Sequence, residues 1–331
     1  MAYRISLKNF TKLLLNSALA LFLFLIAIEI GIQLYVDRII KRSRMYVSDS
    51  LCGWRLLPNL DIERLNSKKE IFHIVTDRDG IRGISPWGDD FKKKILILGD
   101  SLAFGEGVDV SDRFDSIISG LQNNFTILNL AVSGYGTDQE FIAGRKYFPN
   151  LKEGDVLLIV SSNNDFYDIL SKSSISGRPK PWFEFRERGL KEFHPRLGFG
   201  EFLADNSFIF FWLKLKSFLG AKKDSDLSDG FSRGLKLYAE IMKTETADLR
   251  KKKVFIVIAF FGKRYIKDEE KALVDNMFKD ITQQFNIKYI SLDDVLLKYQ
   301  GNPYFLPCCH WGKELHKVVA YALNEFLKIL H

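Results

Sequence analysis

Five short apolar runs, each followed by a segment of helical spacing, constrain this chain more than any other feature. They are Ile95-Leu96-Ile97-Leu98, Thr126-Ile127-Leu128-Asn129-Leu130, DVLLIVS (155–161), VFIVIAF (254–260) and KYISL (288–292). Apolar residues without polar alternation mark strands buried on both faces. Helical spacing recurs over residues 113–121, 138–148, 231–250, 269–285 and 314–330. Strands alternating with helices require right-handed crossovers, so the expected fold is α/β with a doubly wound, mainly parallel sheet. Residues 45–94 show only one extended piece, Phe72-His73-Ile74-Val75-Thr76, and read as an irregular lead-in. The expected organisation is therefore an N-terminal segment over 1–44, that lead-in, and an α/β domain over 95–331. An insertion at about 169–230 interrupts the alternation. It holds the turn-rich ISGRPKP, then Trp182, Phe183 and Phe185, and then NSFIFFWLKLKSFL, which reads as an amphipathic helix. At the carboxyl edge of the sheet such an aromatic insertion either covers a ligand crevice or is a packing excursion.

Residues 13–36, LLLNSALALFLFLIAIEIGIQLYV, are long and apolar enough to cross a bilayer, where about 20 residues suffice. A cleaved signal would carry a shorter apolar core and a small-x-small site, and no such site follows Gly31. An uncleaved single-pass anchor is the expectation. Basic residues flank it on both sides, Arg4, Lys8 and Lys12 before and Arg38, Lys41, Arg42 and Arg44 after, so charge alone does not orient it. Glu29 is the awkward residue in the run: it faces a protein partner or lies near the outer interface.

The net charge of +7 raises nucleic acid as a partner. However, the triplets Lys92-Lys93-Lys94 and Lys251-Lys252-Lys253 each precede an apolar run, the pattern of solvated strand ends, and no nucleic-acid-binding motif accompanies them. The three cysteines, Cys52, Cys308 and Cys309, form neither a disulfide framework nor paired zinc ligands, and no cofactor or metal is implied.

In a doubly wound sheet, ligands bind outside the carboxyl ends of the strands. There the sequence places Gly99-Asp100-Ser101, Ser133-Gly134-Tyr135-Gly136, Ser162-Asn163-Asn164-Asp165 and, near the chain end, Cys309-His310-Trp311. A serine nucleophile needs a base to take its proton, and its oxyanion needs N–H donors. This constellation resembles the SGNH/GDSL hydrolase superfamily. The first block corresponds to Gly99-Asp100-Ser101 with Gly105 and Gly107. The second corresponds to Asn129-Leu130-Ala131-Val132-Ser133-Gly134, the third to Asn164-Asp165 with Ser162 where a Gly is usual, and the fourth to His310-Trp311. The run Gly134-Tyr135-Gly136-Thr137-Asp138-Gln139 is similar to a membrane-anchored branch of that superfamily.

The resemblance covers roughly residues 50–331 and implies a flavodoxin-like sheet. It also implies Ser101 as nucleophile, His310 as general base, and an oxyanion hole from the N–H groups of Ser101 and Gly134 with the Asn164 amide. It further implies an acyl-ester hydrolase acting through an acyl-serine intermediate and, for a membrane-anchored member, envelope work such as removing O-acyl groups from envelope polysaccharide, with the catalytic domain on the extracytoplasmic side. The pattern departs at one place: the family's Asp before the catalytic His is replaced by Pro307 and Cys308. Three readings stay open. A backbone carbonyl orients His310 in a Ser–His dyad, Asp293 or Asp294 arrives from a neighbouring loop, or the protein binds more than it cleaves. The corresponding alternatives in function are an O-acyltransferase partner of a membrane-bound acyltransferase, with Glu29 as the contact, and a non-catalytic glycan-binding protein. His316 reads as structural and Trp311 as site wall or core.

Overall fold

The computed structural model describes residues 7–35, 45–83, 92–174, 177–187, 189–207, 210, 227–298 and 310–330. A single long helix, α1 (Leu7–Tyr35), opens the chain. Its stretch Asn9–Ile32 is long and apolar enough to cross a membrane, and none of the residues there is buried against the rest of the protein.

The five apolar runs form one parallel sheet. Its strands are β5 (Lys93–Gly99), β6 (Phe125–Asn129), β7 (Val156–Ser162), β10 (Phe255–Phe261) and β11 (Lys288–Ser291). Across the sheet the order is β6-β5-β7-β10-β11, all parallel. Numbered along the chain this is 2-1-3-4-5, the flavodoxin-like order, whose switch point lies between β5 and β7. Every residue of β6 and β7 is buried, including the polar Thr126, Asn129, Ser161 and Ser162.

The right-handed crossover rule distributes the helices. The step from β5 to β6 runs one way and puts α3 (Phe114–Leu121) on one face, where the final helix α11 (Lys313–Leu330) packs on it. The later steps run the other way. They place α4 (Thr137–Gly144), α7 (Leu227–Glu245) and α9 (Asp268–Phe285) on the opposite face, with α7 touching both neighbours. The two lysine triplets lie at the amino ends of β5 and β10, the strands on either side of β7: Lys93 Nζ donates to the Glu153 carbonyl at 2.8 Å, and Lys253 Nζ meets the Glu153 carboxylate at 3.0 Å.

Residues 45–83 are more regular than their sequence indicates. They fold as two antiparallel hairpins, β1 (Tyr46–Asp49) with β2 (Gly53–Leu56) and β3 (Asp61–Leu65) with β4 (Ile71–Val75). Met45, Trp54, Leu56, Ile62, Phe72 and Ile74 from this segment are buried in the same core as the sheet. Strands of four or five residues carry too few alternations to register in the sequence, and their burial depends on a partner far along the chain.

The insertion after β7 contains an antiparallel hairpin, β8 (Trp182–Arg186) with β9 (Gly189–Phe193), and α6 (Phe199–Asn206). Of NSFIFFWLKLKSFL only Asn206, Ser207 and Phe210 are among the described residues, so the helix expected there lies outside them.

Candidate active site

β5 ends at Gly99 and the chain turns at once into α2 (Ser101–Phe104). A side chain at Gly99 would place its Cβ 2.6 Å from the Ala103 Cβ and 3.0 Å from the Val160 carbonyl, so only glycine permits so close a helix-to-strand turn. Asp100 caps the helix, its Oδ1 accepting from the Leu102 N–H at 2.9 Å. Gly105 ends it in the left-handed region at φ 75°. The buried Arg82 holds the loop that follows, donating to the carbonyls of Phe104, Gly105 and Val108 at 2.6–2.8 Å. Ser101 is thus the first residue of a short, clamped helix, where its own N–H has no partner within the helix.

His310 comes from the far end of the sequence. It precedes α11, and its Nε2 lies 2.9 Å from Ser101 Oγ, across 209 residues of chain. The adjoining Trp311 is buried against Phe261 and Phe114, with ring centroids 5.6 and 6.4 Å away. His316 lies one helical turn on, fully buried and stacked on Phe114 at 6.0 Å. Burial pushes its imidazole down to about 3, so it stays neutral and serves as core.

Asn164 follows β7. The register pairs Gly99 with Val160, so β7 runs two residues past the end of β5 at the switch point. The Asn164 Nδ2 donates to Asp100 Oδ2 at 3.1 Å and to Asp168 Oδ2 at 2.9 Å, and Ser162 Oγ bonds its Oδ1. The amide is therefore oriented from both ends. The second-strand block is held beside it: the Val132 N–H donates to the Gly99 carbonyl at 3.3 Å, and Gly134 turns the chain at φ 84°. Tyr46 Oη donates to the Ser133 carbonyl at 3.4 Å, so the first hairpin braces this turn.

A buried acidic group backs these residues. Burial pushes the carboxyls of Asp100, Asp138, Glu140 and Asp165 upward, and for Glu140 and Asp165 nearby carboxylates add to the shift. Asp168 is raised for the same reason. One ammonium reaches the group from the insertion. Lys180 Nζ donates to both Asp138 oxygens at 2.7 and 2.6 Å and to the Asp168 carbonyl at 2.9 Å.

Of the residues singled out from sequence, Ser101 and His310 are in contact, and Gly134 and Asn164 lie on loops at the same sheet edge. Asp293 is engaged elsewhere: its carboxylate accepts from the N–H groups of Gly262 and Lys263 at 2.8 and 3.0 Å and from Arg264 Nε at 3.1 Å. It ties the turn after β10 to the start of α10 (Leu292–Leu297). Asp294 is exposed, and its backbone N–H donates to Ser291 Oγ. Pro307, Cys308 and Cys309 lie outside the described residues. Sequence reasoning missed Asp100, Asp168 and Lys180 as supports of the site. The Asp100 position beside the serine was a usable signal; Lys180 had none, since it sits in a turn-rich stretch far from any motif. Among the described residues no group of His, Cys, Asp and Glu side chains could hold a metal ion.

No protein-family model matches the chain, and no curated protein matches it. Solved structures similar to it include a lipolytic protein of the G-D-S-L family from Veillonella parvula DSM 2008, 14% identical, covering 70% of this chain and 97% of that one at a TM-score of 0.41. TesA is 11% identical over 72% of this chain and all of its own, at 0.43. The psychrotrophic esterase EstA from Pseudoalteromonas sp., in a structure inhibited by monoethylphosphonate, is 11% identical over 72% of this chain and all of its own, at 0.39.

Proposed function

We propose that the chain is a serine esterase of the SGNH type, held to a membrane by α1. The observation that carries this reading is the 2.9 Å contact between Ser101 Oγ and His310 Nε2, made at the switch point of the sheet. His310 takes the proton as Ser101 Oγ attacks an acyl carbonyl. The N–H groups of Ser101 and Gly134 receive the oxyanion, and the Asn164 amide joins them by turning one N–H away from Asp100 or Asp168, the carboxylates it donates to in the resting site. His310 then protonates the departing alcohol, and water hydrolyses the acyl-Ser101 intermediate by the reverse sequence. Ionised carboxylates beside an oxyanion oppose it, and the upward push on Asp100 and Asp168 by burial reduces that opposition.

The substrate class we favour is O-acyl groups on envelope polysaccharide, with the catalytic domain on the extracytoplasmic side. Asp293 already serves the turn after β10, which favours a Ser–His dyad over an acid supplied by that loop. The test is labelling of the full-length chain in detergent with a fluorophosphonate, together with hydrolysis of a chromogenic acetate. Labelling and hydrolysis should both be lost in Ser101→Ala and His310→Ala. Labelling that persists in folded Ser101→Ala overturns the reading, and turnover that requires a sugar acceptor reassigns the chemistry to acyl transfer.

A further inference from the structure

We propose that α6 of the insertion is a second membrane contact, an amphipathic helix that lays its phenylalanines into the lipid interface beside the outer end of α1. The proposal rests on the reading of α1 as a membrane span.

α6 is tied to the body through its last turn: Asp205 accepts from the Ser48 N–H at 2.8 Å and from Arg178 Nη1 at 3.0 Å. It carries Phe199 and Phe202, three residues apart and hence on one helix face, with rings stacked at 6.0 Å. They are 73% and 59% exposed, and Phe210 just beyond the helix is 47% exposed. The stacked and exposed Phe199 and Phe202 form one apolar feature of the kind that marks an interaction site, with the exposed Phe210 four residues past the helix.

The position of α6 relative to α1 identifies the partner as lipid. Ser207, the residue immediately after α6, donates from Oγ to Glu29 Oε2 at 3.1 Å. Glu29 lies three residues inside the carboxyl end of the apolar stretch Asn9–Ile32. At 1.5 Å per residue that is about 5 Å, one helical turn below the point where the span leaves hydrocarbon. An interfacial helix buries its apolar face about 5–10 Å into the headgroup boundary. The bond to Glu29 therefore sets α6 at interfacial depth. It also accounts for the one carboxyl in the span, which is partnered within its own chain as a charge in a membrane requires. The Asp205–Arg178 contact links α6 toward the candidate site, since Arg178 is two residues from Lys180, whose ammonium meets the Asp168 carbonyl beside Asn164.

The experiment uses the full-length chain carrying the photoreactive residue p-benzoylphenylalanine, a near-isostere of phenylalanine, in place of Phe199, Phe202, Leu21 or Ile329. Ile329 is 83% exposed near the end of α11, which runs back from the site toward the amino ends of the strands. Each protein is reconstituted in vesicles of phosphatidylcholine and phosphatidylglycerol, irradiated, and scored by mass spectrometry for lipid adducts. Positions 199 and 202 should give adducts at about the yield of Leu21 and about tenfold above Ile329, as expected for side chains in the acyl boundary. Adducts at Leu21 without adducts at 199 and 202 overturn the α6 contact and leave the anchor intact. Absence at all three removes both. Adducts to a second copy of the chain at 199 and 202 overturn the lipid assignment in favour of self-association.

Discussion

Lys180→Met isolates the contribution of one buried ion pair to the fold. Lys180 and Asp138 expose 3% and 0% of their side chains, and Lys180 Nζ makes three hydrogen bonds within 2.9 Å. Methionine matches the length of lysine, so little cavity forms and the loss is electrostatic. Removing one partner of a buried pair leaves an uncompensated charge and costs about 3–5 kcal/mol. Near 2–4 °C per kcal/mol for a chain of this order of size, thermal unfolding should shift down by about 6–20 °C. The assay is unfolding of the full-length chain in detergent, followed by intrinsic fluorescence and repeated across pH. The pH dependence has a definite sign. Burial already raises the Asp138 carboxyl, and without Lys180 it rises further. A folded-state value above the unfolded one makes the variant recover stability as pH falls through the folded value, so the gap to wild type narrows in acid. Lys180→Met with Asp138→Leu should be more stable than Lys180→Met alone, because the stranded carboxylate is gone. A single-variant loss below about 1 kcal/mol, or a double variant no better than the single, refutes the argument that the pair is a desolvated charge bond.

The oxyanion assignment predicts that Asn164→Ala lowers kcat by about 10²–10³ with little change in KM, measured on a chromogenic acetate. Equal losses in binding and turnover would place Asn164 outside transition-state stabilisation. His316 predicts acid sensitivity: its folded value of about 3 lies below the ordinary 6.5, so the unfolded chain binds the proton first and stability falls as pH drops between those values. At 1.36 kcal/mol per pKa unit the loss approaches about 5 kcal/mol, and His316→Phe should flatten that part of the stability curve.

Much of the architecture was legible because it follows from local patterns. DVLLIVS and VFIVIAF are continuous apolar runs, and such runs become central strands wherever they occur. The blocks at Ser101, Gly134, Asn164 and His310 each follow or adjoin an element whose end the sequence marks. Their convergence follows from one property of parallel sheets, that the carboxyl ends of all strands share an edge. Of the hairpins over residues 45–83 the extended piece at Phe72–Thr76 was legible, as β4, and the rest were not, because strands such as Gly53–Leu56 are too short for a period to emerge. The orienter of His310 was not legible either, since Pro307 and Cys308 interrupt the expected pattern and Asp293 serves a different turn.

The sequence by itself determined the α/β class, the strand runs, the long apolar N-terminal helix and the identity of the candidate nucleophile. The class, the strand runs and the helix depend on residue periodicity, which the chain encodes locally, and the candidate nucleophile rests on the resemblance of the blocks around Ser101 to the SGNH/GDSL pattern. Only the tertiary structure decided the 2-1-3-4-5 strand order, the seating of Lys180 on Asp138, the support of Asn164 by Asp100 and Asp168, and the bond from Ser207 to Glu29. Each joins residues through buried polar contacts or packing across the fold, and a lone lysine, aspartate or serine carries no periodic signal of the partner it will meet.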